Sequence, residues 1–154
     1  MPLTATTAAP VVDKENTKLL ERTLILVKPD AYARRLTGEI VGRFERKGLR
    51  PVAARVLTMS HEMAEEHYAE HLGEPFFDGL ARFITSGPVV ALVLEGPSAI
   101  LAARQLIGAT DPLAAAPGSI RGDLATEMAA NLVHGSDGPA AASREIAIFF
   151  PDLA

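Results

Sequence analysis

His134 stands out among the residues able to do chemistry. It lies in Asn131-Leu132-Val133-His134-Gly135-Ser136-Asp137, after a short apolar run and among small and polar neighbours. An imidazole with an unperturbed pKa of about 6.5 is the side chain best suited to act as base or nucleophile near neutral pH. Gly135 beside it leaves room for a substrate or a backbone to approach. Three cations are placed to serve an anionic partner: Lys28 at the end of an apolar run, Arg104 late in a helical pattern and Arg121 just past a long loop. Each alone reads as ordinary solvated charge. Together with Thr110 and Asn131 they supply the donors that a triphosphate and a ribose require. Phe76, next to Pro75, reads either as a core aromatic or as a lid on which a base stacks. His67 and His71 are four apart on one predicted helix and could share a metal, but no carboxylate pattern completes a site, so they read as surface and groove histidines.

The motifs that are missing narrow the chemistry further. The chain has no G-x-x-x-x-G-K-[ST] loop, no G-x-G-x-x-G after a strand, no H-E-x-x-H and no G-x-S-x-G, which removes the commonest motif-based enzyme classes. It has no cysteine, so disulfides, thiolate catalysis and zinc-thiolate sites are excluded, and a reducing compartment is compatible. A net charge of -4 gives no global attraction to nucleic acid or to an anionic membrane. No apolar run approaches the ~20 residues that span a bilayer.

The elements that must position these residues follow from periodicity. At 154 residues the chain suits one domain with a sizeable core. Residues 1–20 read as a flexible tail rich in Thr, Ala and Pro, without the basic start and long apolar segment of a secretory signal. Thr23 to Val27 is a buried strand that ends at Lys28-Pro29-Asp30. Thr37 caps a helix through Ile40, Val41 and Phe44 that stops at Gly48. A strand from Arg50 to Thr58 precedes a helix capped by Ser60 and running through Leu72 to Gly73; Pro75 opens a second, through Phe83 and Ile84. Val89 to Glu95 is the clearest strand, and Gly96-Pro97 turns it into a helix capped by Ser98 and closed by Gly108. The Pro, Ala, Gly and Thr composition of Ala109 to Ser119 marks a long loop, functional or mobile. Arg121 to Ala129 suits a brief helix, Leu132-Val133 a short strand and Pro139 to Ile148 a last helix. The order is that of an α+β, ferredoxin-like split β-α-β sandwich: a four-stranded antiparallel sheet with helices packed on one face.

Eight separated motifs carry a resemblance to the nucleoside diphosphate kinase family: Glu21-Arg22-Thr23 leading to Lys28-Pro29-Asp30; Gly38-Glu39-Ile40; His67-Tyr68; Pro75-Phe76-Phe77; Ser86 to Val90; Thr110-Asp111-Pro112; Pro117 to Asp123; and Asn131 to Asp137. The likeness runs from Glu21 to Phe150, nearly everything beyond the tail, and assigns 21–154 to the catalytic domain. It implies that His134 takes the γ-phosphoryl group from a nucleoside triphosphate such as ATP and passes it to a nucleoside diphosphate by a ping-pong route. It also implies that Nδ1 attacks while Glu145 accepts from the other ring nitrogen, with Ser136 steadying Glu145. Lys28, Tyr68, Arg104, Thr110, Arg121 and Asn131 are then expected around phosphates and sugar, with Phe76 stacking on the base. Stacking without edge-on hydrogen bonds gives little base selectivity.

The expected cofactor is Mg2+, held mainly by nucleotide phosphates and water. The resemblance further implies a cytoplasmic enzyme of the shorter bacterial type, a homohexamer or alternatively a homotetramer, with the 109–119 loop at trimer contacts. Three positions depart from the family's pattern: Glu74 where a basic residue is usual, Ala129-Ala130 where glycine or a charge often stands, and Gly138 in place of a frequent serine. None removes a proposed catalytic group. The competing readings are a nucleotide-sensing module that would not need His134, a nucleic-acid binder whose interleaved aromatic and basic strand residues are missing here, and a phosphatase that releases the phosphoryl group to water.

Overall fold

The computed structural model describes residues 19–153. In chain order the elements are β1 (Leu20–Val27), α1 (Pro29–Ala33), α2 (Thr37–Arg46), β2 (Arg50–Leu57), α3 (His61–His67), α4 (Phe77–Ile84), β3 (Val89–Pro97), α5 (Ala99–Ile107), α6 (Ile120–Leu124), β4 (Val133–Gly135) and α7 (Pro139–Phe149). Short 3-10 turns occupy Ala69–His71 and Pro151–Leu153. Most of the expected tail falls outside the described residues, but its last residue, Leu20, already pairs with Pro97 in β1.

The four strands form one sheet in the order β2-β3-β1-β4, every neighbouring pair antiparallel. This is the ferredoxin-like arrangement expected. β2 lies at an edge, where Pro51 withholds no ladder hydrogen bond that matters, and the register slips between Pro51 and Ala53.

The expectation that helices cover one face is overturned. Ile25, Val27, Val90, Leu92 and Leu94 pack with Ile40, Phe44, Ala99, Ala103 and Ile107 of α2 and α5. Leu24, Leu26, Val89, Ala91 and Val93 pack with Ala64, Phe77, Ala81, Ile84, Ile146 and Phe149 of α3, α4 and α7. The reason is visible in the composition of β1 and β3, whose apolar runs do not alternate with polar residues, the pattern of strands buried on both faces. Residues Leu24 to Val27 have no exposure at all.

Several local expectations change as well. The chain does not simply stop at Lys28-Pro29-Asp30: Pro29 occupies the first turn of α1, where its missing N–H costs nothing. Thr37 is a helical residue of α2 and not its cap. β3 continues through Gly96 and Pro97, and Ser98, at φ 52°, makes no capping bond to α5. The Glu21 carboxylate on β1 accepts from the Ile100 N–H at 2.9 Å instead, placing a negative charge at that helix start. Ser60 caps α3 as expected, accepting from Met63 N at 3.1 Å, but the helix ends at His67 and Leu72 is exposed. Pro75 and Phe76 precede α4 rather than opening it. The helix expected over Arg121 to Ala129 is the single turn Ile120–Leu124, capped by Ser119 onto Gly122 N at 3.1 Å. Leu132 lies outside β4, which reaches Gly135 and so contains His134.

Candidate active site

β1 and β4 run antiparallel with Leu26 opposite His134, so the end of β1 brings Lys28 and the short β4 brings His134 to the same end of this strand pair. The chain enters β4 through a strained turn. Val133 N donates to Asn131 O at 2.9 Å across a single residue, and that residue, Leu132, has φ 75°. A γ-turn of this sign in a non-glycine residue costs on the order of 1–3 kcal/mol. Three contacts offset it: the Leu132 side chain is fully buried, its N–H donates to Asp30 Oδ2 at 3.1 Å, and its carbonyl accepts from Lys28 N at 2.9 Å.

The turn aims polar groups at the cations. Arg121, nine-tenths buried, donates to three backbone carbonyls: Asn131 at 3.1 Å, Gly108 at 3.2 Å and Val133 at 2.6 Å. It therefore braces the end of α5, the γ-turn and β4, and two of its five N–H groups remain for a ligand. Lys28 Nζ donates to Asn131 Oδ1 at 2.9 Å, and Asn131 Nδ2 donates to the Thr110 carbonyl at 2.9 Å. Arg104 pairs with Asp137. Asp111 shapes the loop that carries Thr110, accepting from Leu113 N at 3.0 Å, so this segment is an ordered turn.

The opposite wall is built around His134. Its Nε2 lies 2.6 Å from Glu145 Oε1 on α7, and Ser136 Oγ donates to the same oxygen at 3.1 Å. Ser136 has no exposure and is pinned to β1, accepting from Leu24 N at 3.2 Å. With the carboxylate accepting a hydrogen bond from Nε2–H, the lone pair of a neutral ring lies on Nδ1. The His67 ring meets that of His134 edge-on at 4.6 Å and is itself flanked by Tyr68 and Phe149. His67 is 5% exposed, which corrects its reading as a surface histidine: the inner face of α3 packs against the His134 ring, and His67 and His71 both line the groove.

Lys28, Tyr68, Arg104, Thr110, Arg121, Asn131, His134 and Glu145 all border one pocket of about 650 Å³, a size suited to a nucleotide-sized ligand. Ser136 sits behind it. Phe76 is half exposed at the rim, edge-on to His71 at 5.2 Å, while its neighbour Phe77 takes the core position; the lid reading of Phe76 fits this and the core reading does not. Gly135 is a point of close approach, as expected: it lines the pocket, and a Cβ there would lie 2.6 Å from the Cδ1 tip of Ile107 on α5. Glu74 is exposed to solvent.

Burial concentrates unsatisfied positive charge. Lys28 is pulled down to about 8, first by burial and then by Arg121, with Asp30 opposing. Arg121 falls to about 10, by burial and then by Arg104. Tyr68 is pushed up to about 12 by burial. His67 is held well below its ordinary value by burial, then by the charges of His134, Lys28 and Arg144, which keeps it neutral. Such depressed cations are relieved by an anion in the pocket. Sequence reasoning gave no role to Asp30, Asp137 or Arg144. Asp30 lies in a quoted motif, but its bond to Leu132 spans 102 residues and leaves no local signal.

The arrangement offers a nucleophilic nitrogen on an oriented ring, facing several cations, which is what phosphoryl transfer requires. Comparison with known proteins agrees. The sequence profile described as nucleoside diphosphate kinase matches residues 21–154. A nucleoside diphosphate kinase from Parafrankia sp. (strain EAN1pec) is 62% identical over 133 residues, 86% of this chain and 97% of the relative. One from Frankia casuarinae is 63% identical over 134 residues, covering 87% and 98%. Among solved structures, a halophilic nucleoside diphosphate kinase from Halobacterium salinarum in complex with CDP superposes with a TM-score of 0.82 at 54% identity, over 84% of this chain and 87% of that one. A family protein from Babesia bovis gives 0.83 at 45% identity, over 86% and 90%. With the fold, the pocket and these likenesses in agreement, the chain belongs to the nucleoside diphosphate kinase family and transfers phosphoryl groups between nucleotides.

Proposed function

We propose that His134 carries the phosphoryl group in this transfer. The observation that supports it most is the 2.6 Å contact from Nε2 to the buried Glu145 carboxylate, which leaves Nδ1 as the free nucleophile. Nδ1 attacks the γ-phosphorus of a nucleoside triphosphate, a P–N bond forms, and the bond to the bridging oxygen breaks as the diphosphate leaves. In the second half-reaction a terminal oxygen of another nucleoside diphosphate attacks, and the P–N bond breaks. Glu145 stabilises the positive ring that exists between the two steps, and Ser136 holds Glu145. Lys28, Arg104 and Arg121 offset charge on the phosphoryl oxygens, Tyr68 borders the phosphates, Thr110 and Asn131 complete the sugar and phosphate contacts, and Phe76 stacks on the base.

The family works with a divalent cation; Mg2+ is the ion proposed here. Two of the lining carboxylates are already paired, Glu145 with His134 and Asp137 with Arg104, and the rest of the lining is rich in cations. That fits an ion held by the substrate's β- and γ-phosphates and by water, where it neutralises phosphate charge. The Halobacterium relative was solved with CDP, and nucleoside diphosphates of either base class are proposed as acceptors. A homohexamer is proposed over a homotetramer, consistent with exposed Leu113 on the 109–119 loop and exposed Val56 on the edge strand. Among the described residues no helix is long and apolar enough to cross a membrane, and a cytoplasmic site of action is proposed.

Incubation with γ-labelled ATP tests the reading. The protein should acquire an acid-labile, base-stable label that GDP removes as GTP, and His134→Ala should take up none while still binding nucleotide. A label lost only to water, or a fully active His134→Ala variant, would overturn the assignment.

A further inference from the structure

Among the described residues, one trio of metal-ligating side chains is close enough to share an ion: one nitrogen each from His67 and His134 and one oxygen of Glu145 lie within 4.8 Å of one another. We propose that these three residues form a binding site for Zn2+, separate in chemistry from the nucleotide-borne divalent ion, and that its occupation blocks the nucleophile.

The ligand chemistry favours zinc. Two imidazoles and a carboxylate, with a fourth position open to water, form a ligand set that zinc takes at about 2.0–2.2 Å per bond. Mg2+ prefers an octahedron of oxygens and competes poorly for nitrogen. A tetrahedral site at those bond lengths needs ligand atoms roughly 3.4 Å apart. Closing the trio to that spacing requires the 2.6 Å contact between His134 and Glu145 to open slightly and the longest separation, at most 4.8 Å, to shorten by up to about 1.4 Å through side-chain rotation.

His67 supplies the independent observation. It is 5% exposed, and its Nδ1 is buried with no hydrogen-bond partner. A neutral ring must carry its proton on one nitrogen and a lone pair on the other; Nδ1 has no partner, and the ring lies edge-on to those of Tyr68, His134 and Phe149. Lys28 and Arg144 oppose a cation here, and the Glu145 carboxylate offsets part of that repulsion. Whichever His134 nitrogen the zinc takes, transfer stops. On Nδ1 it occupies the attacking lone pair, and on Nε2 it displaces the bond to Glu145 that orients the ring.

Calorimetric titration of the chelator-treated, nucleotide-free protein with Zn2+ alone decides the matter. One zinc should bind per chain. His67→Asn and Glu145→Gln should each weaken it at least about tenfold, since even outer-shell losses cost 10–100-fold. His134→Ala should also bind at least about tenfold more weakly. His61→Ala and His71→Ala, which remove the other histidines, should bind as wild type does. Unchanged affinity in His67→Asn, Glu145→Gln or His134→Ala, or loss in the His61 or His71 variant, would overturn the site. If His67→Asn does not fold, the Glu145 and His134 variants carry the decision. The readout is binding alone, so its failure leaves the phosphotransfer reading intact, whereas failure to label with ATP leaves the zinc result standing.

Discussion

The two walls of the pocket are held by different physics. On the wall of Thr110, Arg121 and Asn131, with Arg104 at its rim, position is set by side chains bonded to backbone, and by a γ-turn at Leu132 whose strain is balanced by burial and by Asp30. On the wall of His67, His134 and Glu145, position comes from rings packed edge-on and a buried carboxylate carried by α7. The first wall suits a ligand whose charge must be offset wherever its phosphates lie. The second suits one atom that must be aimed. Damage to the second should therefore appear in turnover, and damage to the first in substrate affinity and in stability.

The largest break in that contrast is expected for Glu145→Gln. Under the proposed role of Glu145, removing the charge beside His134 Nε2 should lower kcat by about 10²–10⁴-fold with little change in KM, as steady-state kinetics would show; a pure KM effect would place Glu145 in binding instead. Next is Arg121→Ala, which strands three carbonyl acceptors. It should destabilise the fold by about 3 kcal/mol in urea titration. Arg104→Ala, on a half-exposed side chain paired with exposed Asp137, should change stability by less than about 0.5 kcal/mol while raising KM. Equal losses in both variants would erase the distinction between brace and rim.

Phe76→Ala should raise KM by the equivalent of about 1–3 kcal/mol and leave the thermal midpoint unchanged; a drop in the midpoint would mean that the ring supports the core after all. The smallest expected effect is on pH dependence. In its proposed role Lys28, at about 8, holds phosphate only when protonated, so kcat/KM should fall by up to about tenfold per pH unit above that value. Lys28→Met should remove this inflection. The sign for stability is the reverse. Between about 8 and the ordinary 10.5 the folded state binds fewer protons at Lys28 than the unfolded chain, so this group's contribution to stability rises with pH across that window.

How far the sequence reveals these features depends on how local their causes are. The antiparallel order, the end of β1 at Lys28 and the Ser60 cap follow from periodicity and capping. The burial of both sheet faces was also legible, in the unbroken apolar runs of β1 and β3, but the order of elements alone suggested one covered face. His134 could be singled out from its residue type and neighbours, whereas its ties to Glu145 and Ser136 came only from family resemblance. The spacing of His67 and His71 does not say which face of α3 is buried, so the enclosure of His67 leaves no trace in it. The Glu21 cap on α5 and the Asp30 support of Leu132 span 79 and 102 residues, distances over which no local pattern operates. Gly135 reads as a point of close approach, and it both meets Ile107 of α5 and lines the pocket.

The most direct measurement of the aimed nucleophile is nitrogen-resolved NMR of the phosphorylated protein, labelled at histidine with ¹⁵N and phosphorylated by ATP. Because Glu145 engages Nε2, the phosphoryl group is expected on Nδ1 of His134 and on no other residue. Phosphorylation at Nε2, or at a different side chain, would contradict the proposed role of the carboxylate and of His134 with it.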